Sequence, residues 1–388
     1  MNEGRLIFTQ VSDMIHREQF DRCMNLHPMP RASRGMSARD QFLAMLFAQL
    51  TSRESLRDIE ACLRDNRHLY AMGIRGNITR TNLAYANKHR DWRNYEALAH
   101  VLIRKARRLY SNDTNGLDID EMVYAVDAST IDLCLSMFPW PKFKSTKAAI
   151  KLHTQIDLTG SIPVFISLTE GAVHDVNFLD KMQIEAGSIY VFDRGYLDFA
   201  RLLRITNAHG CFVIRSKKNT RFTVHESRDV DKSTGLRCDQ TIRLSSAKGR
   251  KSYPLLLRRI SYYDEETKKR LTFLTNNFEL PAITIAVIYK HRWRIELFFK
   301  WIKQNLRIKT FYGTTENAVY SQIWIAVCTY LMVACLSKTH GIDENLSRIL
   351  QILSVNTFQQ VPVNELLTTS RVEKSEVYNH NQLMFNGF

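Results

Sequence analysis

The first third of the chain carries apolar residues at the spacing of amphipathic helices. Apolar positions recur every three or four residues in the segments SARDQFLAMLFAQLTS, SLRDIEACLRDN and TRTNLAYANKHRDWRNYEALAHVLIRKARRLY. This is the period of an α-helix, so we predict a helical domain over residues 1–118 that ends in a polar segment. The turn sequence MGIRGNIT precedes a helix with polar residues near its start, which is typical of a DNA-reading helix-turn-helix. An ordinary helical bundle fits the same pattern.

From residue 119 the pattern changes to short apolar strands separated by helical segments. MVYAV and SIYVF each run into an aspartate, AAIKLHTQI and SIPVFISL are separated by the turn sequence DLTG, and CFVIR is a further strand. Helices are predicted over VNFLDKMQIEA and over FARLLRITNAHG, the latter closed by Gly210. Two antiparallel strands followed by strand–helix alternation indicate an α/β fold with a mixed sheet over residues 119–216.

Residues 217–279 interrupt this alternation. They hold short alternating runs such as RFTVHE, QTIRLSS and RLTFLTN, which predict a β-rich insertion. Helical spacing returns over residues 280–340, and residues 341–388 predict one or two helices and a polar tail. The apolar run Ile323–Leu336 is shorter than the roughly 20 residues that a membrane-spanning helix needs, so it predicts a buried helix.

The segment YKHRWRIELFFKWIKQNL, residues 289–306, carries a single acid among many bases. At about 100° per residue, four of its polar residues fall within roughly 60° of one another, beside the apolar face of the helix: Tyr289, Arg292, Glu296 and Lys303. A polar stripe in that place lies at the edge of a core, where a cleft would form. The simpler interpretation is an ion pair between Arg292 and Glu296 at i, i+4 on a solvated helix.

Two further acids follow apolar strands. Asp127 comes directly after MVYAV and Asp193 directly after SIYVF; Asp132 is close to Asp127 but does not end the apolar run. Carboxylates at the ends of buried strands lie at the rim of a sheet, where sites form, and their burial is costly unless a cation neutralises them. Together with Glu296, the two aspartates could hold two Mg²⁺ ions.

The charge of the chain favours a polyanionic partner. The formal net charge is +15 over 388 residues, so nucleic acid is the first candidate and a membrane surface the second. The seven cysteines are scattered without a C-x-x-C pair, and the N-terminus shows no signal pattern, so we expect a reducing cytoplasmic setting. The chain has no phosphate-binding glycine loop and no H-E-x-x-H, so nucleotide hydrolysis and zinc peptidase activity have no support.

At these residues the sequence resembles the DDE transposases of bacterial insertion sequences. The resemblance is to the group with the signature Y-x2-R-x3-E-x6-K, the insertion sequence four family, and the spacing of Tyr289, Arg292, Glu296 and Lys303 matches that signature throughout. YAVDASTI around Asp127 and YVFDRGYLDF around the second aspartate resemble the segments that carry the family's first two acids. AIKLH, GAVHDVNFL, FVIRSKKN and FLTNN follow in the family's order, so the resemblance covers about residues 30–340.

The resemblance implies a fold and a function. The fold is a ribonuclease H-like catalytic core over residues 119–216 and 280–340, interrupted by the β-rich insertion and preceded by a helical DNA-binding domain over residues 1–118. The function is DNA cleavage at element ends and joining of the 3′-hydroxyl to target DNA, with Mg²⁺ or Mn²⁺ as the metal and a homodimer in the synaptic complex. A repressor derived from a transposase, or a nuclease without strand transfer, is the alternative.

The resemblance also implies roles for individual residues. The catalytic, metal-binding acids would be Asp127, Asp193 and Glu296. The residues expected to contact DNA are Tyr289, Arg292, Lys303, Arg194 and Lys300. Some relatives form a DNA hairpin with the help of a Trp in the insertion, but residues 217–279 contain none, and Tyr262 or Tyr263 would have to replace it.

The net charge generates a first prediction. If the partner is a DNA backbone, the logarithm of the binding constant should fall linearly with the logarithm of the salt concentration, by about 0.9 for each phosphate contacted. A gel-shift titration over a range of salt concentrations measures this slope. An affinity that does not change with salt would point away from a DNA-backbone partner.

Overall fold

The structure is a computed structural model that describes residues 4–29, 35–64, 66–113, 116, 119–144, 147–308 and 310–368. The chain divides into two compact units, one formed by Met1–Leu109 with Lys300–Phe388 and the other by Tyr110–Phe299. The second division falls between residues 299 and 300, inside the segment 280–340 that the sequence analysis assigned to one part of the core.

The described residues form helices along the whole chain. In chain order they are α1 (Ile7–Ser12), α2 (Arg17–Met24), α3 (Ala38–Leu50), α4 (Leu56–Leu63), α5 (Arg80–His89), α6 (Arg93–Tyr110), α7 (Phe199–Asn207), α8 (Ala247–Ser252), α9 (Ala282–His291), α10 (Trp293–Asn305), α11 (Glu316–Thr339) and α12 (Leu346–Val355). Several begin at a residue whose side chain accepts a hydrogen bond from the first turn. Ser37, for example, forms a capping box with Asp40 at the start of α3.

The strands lie in the second unit. They are β1 (Val123–Leu133), β2 (Lys142–Lys144), β3 (Lys147–Asp157), β4 (Ile162–Glu170), β5 (Ile189–Phe192), β6 (Cys211–Arg215), β7 (Phe222–Arg228), β8 (Leu236–Leu244), β9 (Leu257–Asp264) and β10 (Lys269–Thr275). The alternation of strands and helices predicted for this region therefore gives the mixed α/β fold that the sequence indicated.

Helix α11 is the centre of the helical unit. It contacts α1, α3, α5 and α12. By length and composition alone α11 could cross a membrane, but its most apolar stretch is entirely buried inside the protein. The buried helix predicted from the run Ile323–Leu336 is confirmed, because α11 contains this run and all of its residues are buried.

The predicted helix-turn-helix is wrong. Residues 64–79 separate α4 from α5, whereas a helix-turn-helix joins its helices with about 3–4 residues. Asn87, a polar residue of α5, is buried, and its Oδ1 accepts a hydrogen bond from Gln41 Nε2 at 2.6 Å. The side chain therefore joins α5 to α3 and does not face a ligand.

The sheet combines parallel and antiparallel pairing. Ten strands run in the order β2-β3-β1-β5-β6-β10-β9-β8-β7, with β4 paired to β3. Strands β1, β5 and β6 are parallel neighbours, while β3 and β4 form an antiparallel hairpin on the other side of β1. The strands of residues 217–279 continue this sheet, because β10 pairs with β6.

Two local predictions in the second unit are wrong. The helix expected over VNFLDKMQIEA is only a 3₁₀ turn at Asp175–Asp180. The backbone N–H of Glu185 donates to the Tyr190 hydroxyl at 2.8 Å, a side-chain partner that replaces a helical carbonyl. Helix α7 ends at Asn207, and the residue with positive φ that follows it is His209, at 57°, instead of Gly210.

A buried ion pair joins β8 to β9. Arg258 donates from Nε and Nη2 to both carboxylate oxygens of Asp239, at 2.8 and 2.7 Å, and each side chain is 6% exposed. Arg258 also donates to the carbonyl oxygen of Leu280 at 2.6 Å. Because both charged groups are removed from water, their hydrogen-bonding partners have to be supplied by the protein.

We expect Asp239→Ala to lower the free energy of unfolding by about 3–5 kcal/mol, because it leaves Arg258 buried without its carboxylate. Glu265→Ala is the matched control, since Glu265 pairs with Lys268 on the surface, and it should cost at most about 1 kcal/mol. Urea denaturation of both variants measures the difference. Equal losses would contradict a structural role for the Arg258–Asp239 pair.

Candidate functional site

The register of the sheet places the two aspartates on neighbouring strands. The parallel pairing of β1 with β5 ends at Val126 and Phe192, so Asp127 and Asp193 are the residues that directly follow this pairing. Parallel neighbours lie about 4.8 Å apart. The apolar residues before them, Val123–Val126 and Ile189–Phe192, are fully buried and hold the two strands in the core.

From the sequence we expected Asp127 to lie at the end of its strand. This prediction is wrong. Strand β1 continues to Leu133 because β3 pairs with it along this whole length, and Asp127 lies opposite Thr154. The parallel pairing alone ends at Val126. Asp193, in contrast, follows β5 directly and begins a 3₁₀ turn that ends at Tyr196.

The helix predicted over residues 289–306 is interrupted at Arg292. Helix α9 ends at His291 and α10 begins at Trp293, although Arg292 keeps helical dihedral angles, with φ of −52° and ψ of −28°. Its N–H donates to the carbonyl oxygen of Tyr289 at 3.1 Å, which is an i→i−3 bond and tightens the chain at this point. The junction therefore falls at the arginine of the predicted stripe.

Arg292 bridges two of the three acids. Its Nη1 donates to Asp127 Oδ2 at 2.8 Å and its Nη2 donates to Glu296 Oε1 at 2.7 Å. The side chains are 14% exposed for Arg292, 23% for Asp127 and 35% for Glu296. The ion pair of the simpler interpretation thus exists, but its arginine is mostly buried and also holds an acid 165 residues earlier in the chain.

Tyr289 contacts the remaining acid. Its hydroxyl donates to Asp193 Oδ1 at 3.3 Å, and its ring packs on Phe273 with the centroids 4.6 Å apart. Burial raises the pKa of the Tyr289 hydroxyl above its ordinary value, so the hydroxyl keeps its proton as a donor. Two residues of the stripe, Tyr289 and Arg292, therefore contact all three acids between them.

Burial and neighbouring charges act together on the carboxyl group of Asp127. Burial raises the pKa of the Asp127 carboxyl above its ordinary value, and the charges of Asp193 and Glu296 raise it further, although Arg292 and the Ala128 amide act in the opposite direction. Burial disfavours the charge of Arg292, yet the neighbouring Asp127 and Glu296 raise the pKa of its guanidinium overall. The group stays a cation among acids.

Buried polar atoms beside Asp127 have no hydrogen-bond partner within the described part of the chain. They are Tyr196 Oη, Thr154 Oγ1 and Arg292 Nε. Burial and the nearby charge of Asp127 both raise the pKa of the Tyr196 hydroxyl. Neither Tyr196 nor Thr154 was among the site residues predicted from the sequence. Tyr196 stands three residues after Asp193 in DRGY, a visible signal, whereas Thr154 can be found only through strand pairing.

The acids do not form a ligand cluster by themselves. Among the described ranges, no group of three or more His, Cys, Asp or Glu side chains is arranged to hold a metal ion. The expected direct grouping of the three acids is therefore not what the structure contains, because the Arg292 guanidinium lies between Asp127 and Glu296.

Three other residues were predicted to bind DNA: Arg194, Lys300 and Lys303. Arg194 directly follows Asp193 and is exposed. Lys300 and Lys303 follow Glu296 on α10, beyond residue 299, and belong to the helical unit. There Lys303 lines a cleft with Ser52 and Arg307.

Comparison with known proteins gives a family and several relatives. Residues 118–332 match the family described as Transposase DDE domain, and residues 3–75 match a family described as a domain of unknown function. The chain is 32% identical over 238 residues to a protein named as a transposase from Sinorhizobium fredii, an alignment that covers 60% of this chain and 65% of that protein. The chain thus spans slightly less than two thirds of this relative.

Two further relatives are named for insertion sequence elements. One, from Geobacillus stearothermophilus, is named a probable transposase and is 28% identical over 257 residues, which cover 65% of this chain and 67% of that protein. The other, from Synechocystis, is 25% identical over 197 residues, 48% of this chain and 53% of that protein. The family match covers more than half of the 388 residues and contains all three acids, and the chain therefore belongs to the transposase DDE domain family.

Proposed function

We propose that the chain is a DNA transposase that binds the ends of its own insertion sequence, cleaves the DNA there and joins the freed 3′-hydroxyl ends to target DNA. The observation that carries this proposal is the site itself. Asp127 and Asp193 directly follow the parallel pairing of β1 with β5, and the Arg292 guanidinium joins Glu296 to Asp127. The family match and the names of the relatives support the proposal.

A divalent metal fits the residues of this site. Carboxylate oxygens are the ligands that Mg²⁺ prefers, and Mg²⁺ usually completes its coordination with waters and substrate phosphates. The unpartnered hydroxyls of Tyr196 and Thr154 beside Asp127 could bond such waters. Asp127, Asp193 and Glu296 would hold the ion, and Mg²⁺ or Mn²⁺ would activate the attacking oxygen and stabilise the charge of the transferred phosphate.

The remaining residues of the site would position the acids and the DNA. Tyr289 orients Asp193 through its hydroxyl. The Arg292 guanidinium matches a phosphate as well as it matches a carboxylate, because both accept two parallel hydrogen bonds. Arg194, Lys300 and Lys303 would contact the DNA backbone, in agreement with the net charge of +15.

The fold supports the finer parts of this proposal. An antiparallel hairpin beside β1, followed by the parallel strands β5 and β6, is the order expected of a ribonuclease H-like core. The helical unit would bind DNA, and two copies would pair on the two element ends in the bacterial cytoplasm. Because the chain spans only 65% of the first relative, the activity of the whole protein is part of the proposal.

Asp127→Asn and Asp193→Asn should each lower metal-dependent cleavage by more than about 100-fold. Residues that only orient metal ligands, without binding the metal, typically cost about 10- to 100-fold when they are replaced. Binding to element ends should persist, since phosphate contacts elsewhere supply it. A gel shift and a cleavage assay on one preparation measure both effects. Asp132→Asn is the matched control, because Asp132 lies exposed on the same strand and should keep normal cleavage.

Thermal melting separates this loss from misfolding. The folded pKa of Asp127 is raised, so the folded chain holds that proton more tightly than the unfolded chain, and stability is lost as the pH rises through the raised value. At neutral pH the charged form therefore costs stability, and Asp127→Asn should melt no lower than the wild type. Retained cleavage in Asp127→Asn or Asp193→Asn would refute the assignment, and cleavage without joining in the wild type would indicate a nuclease.

Glu296→Gln tests the two interpretations of the stripe. The amide oxygen can still accept from Arg292 Nη2, so stability should change by only about 0.5 kcal/mol. The variant loses the charge that binds metal and should therefore lose cleavage while it still binds element ends. A cleavage assay beside a thermal melt measures both. An active Glu296→Gln protein would leave Glu296 with the role of an ion-pair partner alone.

A further inference from the structure

We propose that Arg292 is an internal counter-cation that competes with a divalent metal for Asp127 and Glu296, so that metal binding and DNA binding are coupled through this one side chain. The inference rests on the proposed function, which supplies the metal and the DNA. Arg292 would be a positioning residue with two alternative sets of partners, the acids before DNA binds and a phosphate afterwards.

The hydrogen bonds of Arg292 occupy two of the acids. Its two terminal nitrogens are directed at Asp127 Oδ2 and Glu296 Oε1, at 2.8 and 2.7 Å. These are two of the three carboxylates that a metal would use. The other oxygen of Asp127, Oδ1, accepts from the Ala128 amide at 2.8 Å, so both oxygens of this acid are engaged while the guanidinium is in place. The charge of the guanidinium also repels a second cation, so the protein alone would bind a metal more weakly than it would with Arg292 displaced.

The environment of Arg292 leaves its hydrogen bonds incomplete. Its Nε is buried and has no hydrogen-bond partner within the described residues, so the guanidinium is less well satisfied than that of Arg258, which holds its own acid with Nε as well. The side chain retains 14% exposure, which gives a ligand access to it. An incompletely bonded cation at a partly open site can exchange one anion for another at low cost.

The guanidinium also determines the choice of ligand. Arginine pairs with phosphate in the same bidentate geometry that it uses with carboxylate. A DNA phosphate that takes the guanidinium would leave Asp127 and Glu296 as uncompensated neighbouring charges, beside Asp193. Those charges would then bind a divalent cation more tightly, because the competing cation has moved away.

Coupling of this kind is reciprocal. If DNA raises the metal affinity by some factor, metal must raise the DNA affinity by the same factor, and such factors are typically about 5- to 150-fold. The arrangement would weaken metal binding at the acids until DNA is present.

The test is a calorimetric titration of Mn²⁺ into the full-length protein, with and without a duplex taken from the ends of the DNA element that encodes the chain. For the wild type we expect the duplex to tighten Mn²⁺ binding by about 5- to 150-fold. For Arg292→Met we expect tighter Mn²⁺ binding than the wild type shows without the duplex, and a smaller gain than the wild type when the duplex is added, because only the phosphate ligands then contribute. The triple variant Asp127→Asn, Asp193→Asn, Glu296→Gln, titrated with the same duplex, corrects for Mn²⁺ bound by DNA alone.

Lys290→Met is the matched control for the loss of a positive charge. Lys290 lies two residues before Arg292 and pairs with Asp264 at 2.8 Å, which is not one of the three acids. If a general change in potential were the cause, both Met variants would bind Mn²⁺ more tightly. We expect Lys290→Met to behave as the wild type.

The outcomes separate this inference from the proposed function. A folded Arg292→Met protein whose Mn²⁺ affinity without the duplex is no higher than that of the wild type would overturn the inference. If Arg292→Met does not fold, the wild type decides, because equal Mn²⁺ affinities with and without the duplex would overturn it. Proteins that bind no Mn²⁺ under any of these conditions would overturn the proposed function as well.

Discussion

Two carboxylates on adjacent parallel strands repel each other, and the Arg292 guanidinium supplies the positive charge beside them. Its hydrogen bonds to Asp127 and Glu296 connect the sheet to α10. Burial and like charges raise the pKa of Asp127 in spite of this partner. The compensation is therefore incomplete, and a site in this condition has an electrostatic reason to accept a further cation.

The same unit contains an arginine–aspartate pair whose hydrogen bonds are more fully satisfied. Arg258 and Asp239 are each 6% exposed, both carboxylate oxygens are used, and the guanidinium also reaches a backbone carbonyl. The hydrogen bonds of that pair are fully used inside the protein, and the pair joins the neighbouring strands β8 and β9. Arg292 has three acids nearby, and its Nε has no hydrogen-bond partner among the residues that the structure describes, so its hydrogen bonds are less fully satisfied than those of Arg258. Arg258 in β9 and Arg292 at the end of α9 therefore serve different purposes, because their surroundings satisfy their hydrogen bonds to different degrees.

Local pattern was sufficient for much of the fold. The strands MVYAV, SIYVF and CFVIR and the hairpin around DLTG lie where apolar runs and a turn sequence predicted them. These runs of five residues are too short for a helix and are rich in β-branched and aromatic residues, which favours a strand. Prediction failed where a tertiary partner replaced a local one. The Tyr190 hydroxyl accepts a hydrogen bond from the Glu185 amide, and a 3₁₀ turn takes the place of the expected helix. The break between α9 and α10 was also not predicted, because no Gly or Pro stands there in the sequence.

The sequence by itself determined which residues have the chemistry of a site. The spacing of Tyr289, Arg292 and Glu296 on helical turns places them on one side of the segment, since helical geometry depends only on neighbours along the chain. Only the tertiary structure decided what they contact. The register of β1 with β5 brings Asp127 beside Asp193, and the packing of α9 brings Arg292 to Asp127, an acid 165 residues away. Such contacts join distant parts of the chain, and no local pattern specifies them.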